Sequence, residues 1–88
     1  MAKKVSDLEA AYAKYPSDAA NKKQLVAATY EYGHTVMTDP DLSPRIKYRT
    51  ALKEFRRVLV LDPNHKQAAS EKEMIESIYR QMGRPIPQ

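Results

Sequence analysis

Proline and glycine interrupt this chain at intervals, and every stretch between them has the periodicity of a helix. The interruptions fall at Pro16, at Pro40 and Pro44, at Pro63 and at Gly83. Within each stretch, apolar residues recur three and four positions apart, which places them on one face of an α-helix. Alternation of apolar and polar residues never persists for the length of a strand. The sequence therefore predicts an all-α fold of four helices, at about residues 6–15, 17–37, 43–61 and 64–82.

The predicted helix starts carry residues that can satisfy free backbone groups. Ser6 and Glu9 have the Ser-x-x-Glu spacing of a capping box at the start of the first helix. We expect Ser43 to cap the third helix, with Pro44 at its first position, and Asn64 to cap the fourth. The first helix is too short to be stable alone in water, so it must pack against the others.

The size and composition of the chain restrict what it can be. Its 88 residues suffice for one domain, which we place at residues 1–83, and we expect residues 84–88 to be a disordered tail. The absence of cysteine excludes disulfides and thiolate metal sites. The longest apolar run, residues 58–61, is far shorter than the ~20 residues of a membrane span, and the N-terminus lacks the apolar region of a secretory signal. We expect a cytoplasmic protein or an excised domain, with no membrane span.

One stretch of the sequence resembles a known repeat family. Ala51, Phe55 four residues later and Pro63 within Leu-Asp-Pro-Asn resemble the second half of a tetratricopeptide repeat. Leu8 and Ala11, followed by another proline, resemble the same half-unit upstream. The resemblance implies an antiparallel α-hairpin array of about two units. Each unit of this family has a first and a second helix, and here the chain starts with a second-type helix, so that second-type and first-type helices alternate.

The central hairpin of this array is expected to be elongated. Leu25 and Gly33 resemble positions in the first helix of a unit, although Val26 stands where the family usually has glycine. From Pro16 to Pro63 there are 47 positions, about 13 more than the repeat period of ~34 residues. Gly33 lies within a helix, where it costs about 1 kcal/mol relative to alanine, so we expect a neighbouring helix to approach it closely.

The resemblance also implies a binding surface. In this family the first-type helices line a concave groove that holds an extended or helical peptide. Tyrosine offers contact area at low entropic cost, and methionine adapts to irregular shapes. Tyr30 and Met37 would bury apolar anchors of a protein or peptide partner, or they would instead pack against a neighbouring helix in a dimer or parent array. The residues expected to line the groove are Lys23, Tyr30, His34, Met37, Ser70, Met74 and Ser77.

A second surface is distinguished by its charge. Residues 43–61 contain six basic side chains and one acidic side chain, and they carry the whole positive excess of the chain. Four of the basic residues lie in one sector of the third helix, away from its apolar stripe. This basic edge predicts binding to nucleic acid or another anionic surface, or is simply a solvated face. Nucleic acid is the less favoured partner, because no aromatic residue interleaves the edge. The basic edge consists of Arg45, Arg49, Lys53 and Arg56.

Neither catalysis nor a cofactor is expected. The two histidines, His34 and His65, do not have the spacing of metal ligands or of a nucleophile and its base. We therefore predict a scaffold that is not an enzyme and needs no cofactor or metal. Roughly three repeat units are usually needed for independent stability. The exposed end helices are thus expected to pair in a homodimer or in a longer parent array, of which the chain would be a purely structural segment.

Overall fold

The computed structural model describes residues 1–87 and contains four α-helices joined by short turns. Within these residues there is no strand, so the prediction of an all-α fold is confirmed. Each helix packs on the next one along the chain, and α2 and α3 have the most extensive contact. Short connections make consecutive helices antiparallel, which agrees with the predicted hairpin array. The helices are α1 (Ala2–Lys14), α2 (Ala19–Met37), α3 (Pro44–Leu61) and α4 (Lys66–Gln81).

The start of α1 differs from the prediction. The helix begins at Ala2, so Ser6 lies inside it, and no side chain caps its first turn. The predicted capping box of Ser6 and Glu9 is therefore wrong. Residues 2–4 are alanine and lysine, which favour helix, and Val5 extends the packing face toward the N-terminus.

The starts of α2 and α3 are set by side-chain caps. The Asp18 carboxylate accepts hydrogen bonds from the backbone N–H groups of Ala20 and Asn21, at 2.9 and 3.2 Å, so α2 begins two residues later than predicted. The Ser43 hydroxyl accepts from the Ile46 N–H at 3.4 Å, and Pro44 occupies the first position of α3. The prediction for the third helix is confirmed.

His65, rather than Asn64, caps α4. Its Nδ1 accepts a hydrogen bond from the backbone N–H of Ala68 at 3.1 Å. Asn64 lies in the preceding turn, where its own N–H donates to the Asp62 carboxylate at 3.2 Å. The predicted cap at Asn64 is wrong by one residue, because Asp62 already holds that backbone in the turn.

The hydrophobic core lies between α2, α3 and α4. None of the residues of α1 is fully buried. The largest core side chains come from three helices, so α3 must be covered on both sides by its neighbours. They are Leu25, Thr29, Leu52, Phe55, Val58 and Ile75.

Gly33 lies where the backbone of α2 closely approaches α3. A Cβ atom at this position would lie 2.9 Å from Cε1 of Phe55 and 3.1 Å from Cβ of Glu54. Carbon atoms do not pack this closely, so only glycine fits without movement of α3. The expected approach of a neighbouring helix to Gly33 is confirmed.

The chain after α4 turns back toward the bundle. Gly83 has a positive φ of 67°, and the Arg84 N–H donates to the Tyr79 carbonyl at 3.0 Å. Ile86 then packs against the core. Disorder of residues 84–88 stays a prediction, and Gln88 lies outside the described residues. None of the four helices has the length and apolar character needed to cross a bilayer.

Candidate functional site

Two helices that are not consecutive, α2 and α4, lie side by side on one surface of α3. The ring centroids of Tyr30 and His65 are 5.0 Å apart, and His34 Nδ1 lies 2.7 Å from Glu71 Oε1. Because both contacts advance in the same direction along the two helices, α2 and α4 are parallel. They form the two walls of one surface groove, which we call the α2–α4 groove.

A concavity of about 450 Å³ lies in this groove. Its lining combines an aromatic ring, an amide, a hydroxyl and charges of both signs, so it offers apolar contact and hydrogen bonding together. Two of the predicted residues, Tyr30 and Ser70, belong to it. The full lining is Tyr30, Lys66, Gln67, Ser70 and Glu71.

Tyr30 connects the groove to the core. Its ring stacks on His34 at 5.9 Å and meets the Phe55 ring at 5.9 Å with a 38° tilt. Burial, and then the neighbouring Glu71 carboxylate, raise the pKa of Tyr30 to about 12. The phenol therefore keeps its proton at neutral pH and can donate a hydrogen bond.

Glu71 is a groove residue that sequence reasoning missed. Elsewhere on α4 an acidic side chain is compensated within the helix, since Lys72 and Glu76 form an i,i+4 pair at 3.3 Å. The Glu71 side chain instead is only 16% exposed and pairs with His34 across the groove. Lys66 and Gln67 precede Ser70 by four and three residues, so helical spacing from Ser70 could have found them.

The other residues predicted on α4 continue the same wall. Met74 and Ser77 follow Ser70 by four and seven residues, which places them on its side of the helix. Met74 is 48% exposed, whereas Ser77 is half-buried. The structure thus brings Tyr30, His34 and Ser70 to one surface, with Met74 further along the same wall.

The groove does not include two of the predicted residues. Lys23 is exposed but lies about two turns before Tyr30, and it lines a separate concavity of about 340 Å³ beside Leu61 and Pro63. Met37 is only 8% exposed and belongs to the core. Met37 therefore packs within its own chain rather than on the open surface of the groove.

Most residues of the basic edge of α3 line the same concavity. Arg49, Lys53 and Arg56 line a concavity of about 350 Å³, whereas Arg45 lies in a neighbouring one. Arg56 Nη2 is 3.9 Å from Glu76 Oε2, so part of its charge is compensated. Three of the four predicted residues therefore form a continuous cationic surface.

Comparison with known proteins found no matching family model, no matching curated protein and no matching solved structure. Among residues 1–87, no group of three or more histidine, aspartate or glutamate side chains is placed to hold a metal ion. The interpretation of the α2–α4 groove therefore depends on its own side chains.

Proposed function

We propose that this chain is a tetratricopeptide-like protein-interaction module that binds a peptide or partner helix in the α2–α4 groove and catalyses no reaction. The observation that carries the proposal is the placement of Tyr30. Phe55 supports its ring from the core, and His34 and His65 flank it at the groove. An aromatic side chain that is already held in place loses little entropy when a partner covers it.

The resemblance to the repeat family is supported by where its signature residues lie. Ala51 and Phe55 are fully buried in α3, and Gly33 touches the Phe55 ring. Leu8 and Ala11 are half-buried on α1. Residues that carry the resemblance are thus the residues through which the helices pack.

The groove chemistry favours a partner with an apolar anchor and adjacent polar groups. Tyr30 and Met74 supply apolar contact area, and Ser70 can donate and accept hydrogen bonds. Lys66 and Glu71 carry opposite charges close together, so they orient polar groups of the partner more than they add affinity.

The proposal is tested with a peptide selected from a random library against the intact chain. Binding of that peptide is measured by calorimetry for the double variant Ser70→Arg, Met74→Glu, whose exposed positions leave the core intact. We expect at least a roughly tenfold loss of affinity, the equivalent of about 1.4 kcal/mol.

The matched control is Val60→Glu, because Val60 is 72% exposed on α3. It should bind the selected peptide like the wild type. Equal affinity of the groove variant and the wild type, for every selected peptide, would contradict the proposal.

A second candidate function is binding of nucleic acid or another anionic surface through the basic edge. It is favoured by the continuous surface of Arg49, Lys53 and Arg56. The test is fluorescence anisotropy of a labelled single-stranded oligonucleotide at several salt concentrations. Binding that falls steeply with salt, and is lost in Arg49→Glu, Lys53→Glu but kept in the groove variant, would support this function.

A further inference from the structure

A concavity larger than the one in the α2–α4 groove lies between α1 and α2. It has a volume of about 690 Å³, and Leu8, Ala27 and Ala28 form its apolar part. Ala27 is exposed and Leu8 only half-buried, so apolar surface is open to solvent there. This concavity, which we call the α1–α2 groove, lies at the α1 side of the four described helices.

The first helix is incompletely covered within the described fold. Val5, Leu8, Ala11 and Tyr12 form its apolar face, and all four are half-buried. A helix of 13 residues is marginal in water unless this face is packed. Additional cover over α1 would therefore stabilise it.

Charged side chains at the rim of the α1–α2 groove indicate which molecule packs over α1. Lys3 and Lys4 stand on α1, and Asp7 and Glu31 complete the rim with two carboxylates. None of the four makes an ion pair within residues 1–87. The rim is electrically neutral, although the whole chain has a net charge of +4.

Because the rim carries unpaired charges of both signs in equal number, the rim of one copy is complementary in charge to the rim of a second copy. When two identical surfaces meet about a two-fold axis, the lysines of each copy can approach the carboxylates of the other. The basic edge of α3, by contrast, would repel its own copy. The α1–α2 groove is thus a face on which a second copy meets matching charges.

We propose that the α1–α2 groove is a homodimer interface, in which α1 of each copy packs into the groove of the other. Leu8 and Ala27 form the apolar centre, and Lys3 and Lys4 pair with the carboxylates of the second copy. The two grooves share α2 but no lining residue, so the α2–α4 groove stays free. A dimer would therefore present two peptide grooves, and a bivalent partner would bind it with increased avidity.

Two charge-reversed variants of the full chain test this interface. One is Lys3→Glu, Lys4→Glu and the other is Asp7→Lys, Glu31→Lys, so that each rim carries a single sign. Analytical ultracentrifugation should show the wild type doubling its mass with concentration, whereas each variant alone stays monomeric. An equimolar mixture of the two variants should restore the doubled mass, and circular dichroism checks that both remain helical.

The control is Arg45→Glu, Arg49→Glu, which changes the net charge as much as the first variant but lies on α3. It should dimerise like the wild type. A wild type that stays monomeric over about a hundredfold range of concentration would overturn the proposal and leave this face to another segment or protein. A dimer that survives both reversals, or a mixture that fails to associate, would overturn it as well.

Discussion

At the scale of single residues, Tyr30 combines a structural and a binding role. Its ring is held by Phe55 below and by two imidazoles beside it, and its hydroxyl lies near the Glu71 carboxylate. Burial of the phenol disfavours the phenolate, so the folded protein holds this proton more tightly than the unfolded chain does. The raised pKa thus gives Tyr30 a signature that can be measured independently of any partner.

We predict that Tyr30 titrates late, well above the ordinary pKa of a tyrosine. Its folded pKa of about 12 exceeds the ordinary value of 10.0, so its contribution to stability is complete below pH 10 and declines as the pH rises toward 12. Phenolate absorbance should therefore show a late step that Tyr30→Phe removes. The variant keeps the ring, and its stability should fall less than that of the wild type over this pH range. A late step that persists in Tyr30→Phe would show that another tyrosine is responsible.

Residue types alone predicted only part of the groove. Tyr30, His34 and Ser70 lie on one surface, but helical spacing fixes only the face of its own helix on which each residue lies. Spacing does not say which faces meet. Glu71 was not among the predicted groove residues, because its place beside His34 depends on a contact between residues 37 positions apart.

At the scale of elements, the contact between α2 and α3 depends on one missing side chain. Gly33 lets the Phe55 ring approach the α2 backbone, which would be blocked by any Cβ atom. The loss of helix propensity at this glycine is offset by packing of the most buried aromatic residue in the core.

We predict that Gly33→Ala destabilises the fold. Alanine gains about 1 kcal/mol of helix propensity, but overpacking against Phe55 costs roughly 1–3 kcal/mol. Thermal denaturation should show a melting temperature lower by several degrees, since 1 kcal/mol corresponds to about 4–8 °C in a domain of this size.

A double-mutant cycle identifies the cause of this loss. The double variant with Phe55→Leu should lose less stability than the sum of the two single losses, because the shorter side chain removes the clash. Gly83→Ala is the control: it strains a backbone with φ of 67° but has open space around it, so it should show no coupling to Phe55→Leu. Absence of coupling at Gly33 would contradict the packing argument.

The first helix is held to the bundle by an ion pair and half-buried side chains rather than by fully buried ones. Arg57 of α3 donates two hydrogen bonds to the Glu9 carboxylate, at 2.9 and 2.7 Å, and these bonds raise the pKa of Arg57. Half-buried apolar residues supply the rest of the contact. The link holds α1 in position but removes less apolar surface from water than the core of the other three helices.

At the scale of the whole molecule, stability is unevenly distributed. The core joins α2, α3 and α4, whereas α1 adds no fully buried residue. We predict that the opening reactions that expose amide hydrogens to exchange have a smaller free energy in α1 than in α3. Hydrogen exchange measured on dilute protein tests this prediction. Equal protection of both helices would show that α1 belongs to the same cooperative unit.

Hydrogen exchange measured at high protein concentration tests whether two copies of the chain associate. If two copies pack through the α1–α2 groove, protection of α1 should increase with protein concentration while that of α3 changes little. Comparison with the Lys3→Glu, Lys4→Glu variant separates this effect from crowding, because the variant should show no such increase.

The sequence by itself determined the local features of this protein. Helix number, the all-α class and the start of α3 at Ser43 and Pro44 follow from periodicity and capping, which act within a few residues. The start of α1 was missed because its residues favour helix without any capping signal.

Only the tertiary structure decided which helix faces are covered. Met37 packs into the core, and α4 lies beside Tyr30 and His34 rather than beside Lys23, because packing on α3 sets the position of α4. That packing depends on contacts between residues far apart in the chain, such as Gly33 with Phe55 and His34 with Glu71. Periodicity of one helix carries no information about the distance to another, so the groove exists only in the folded molecule.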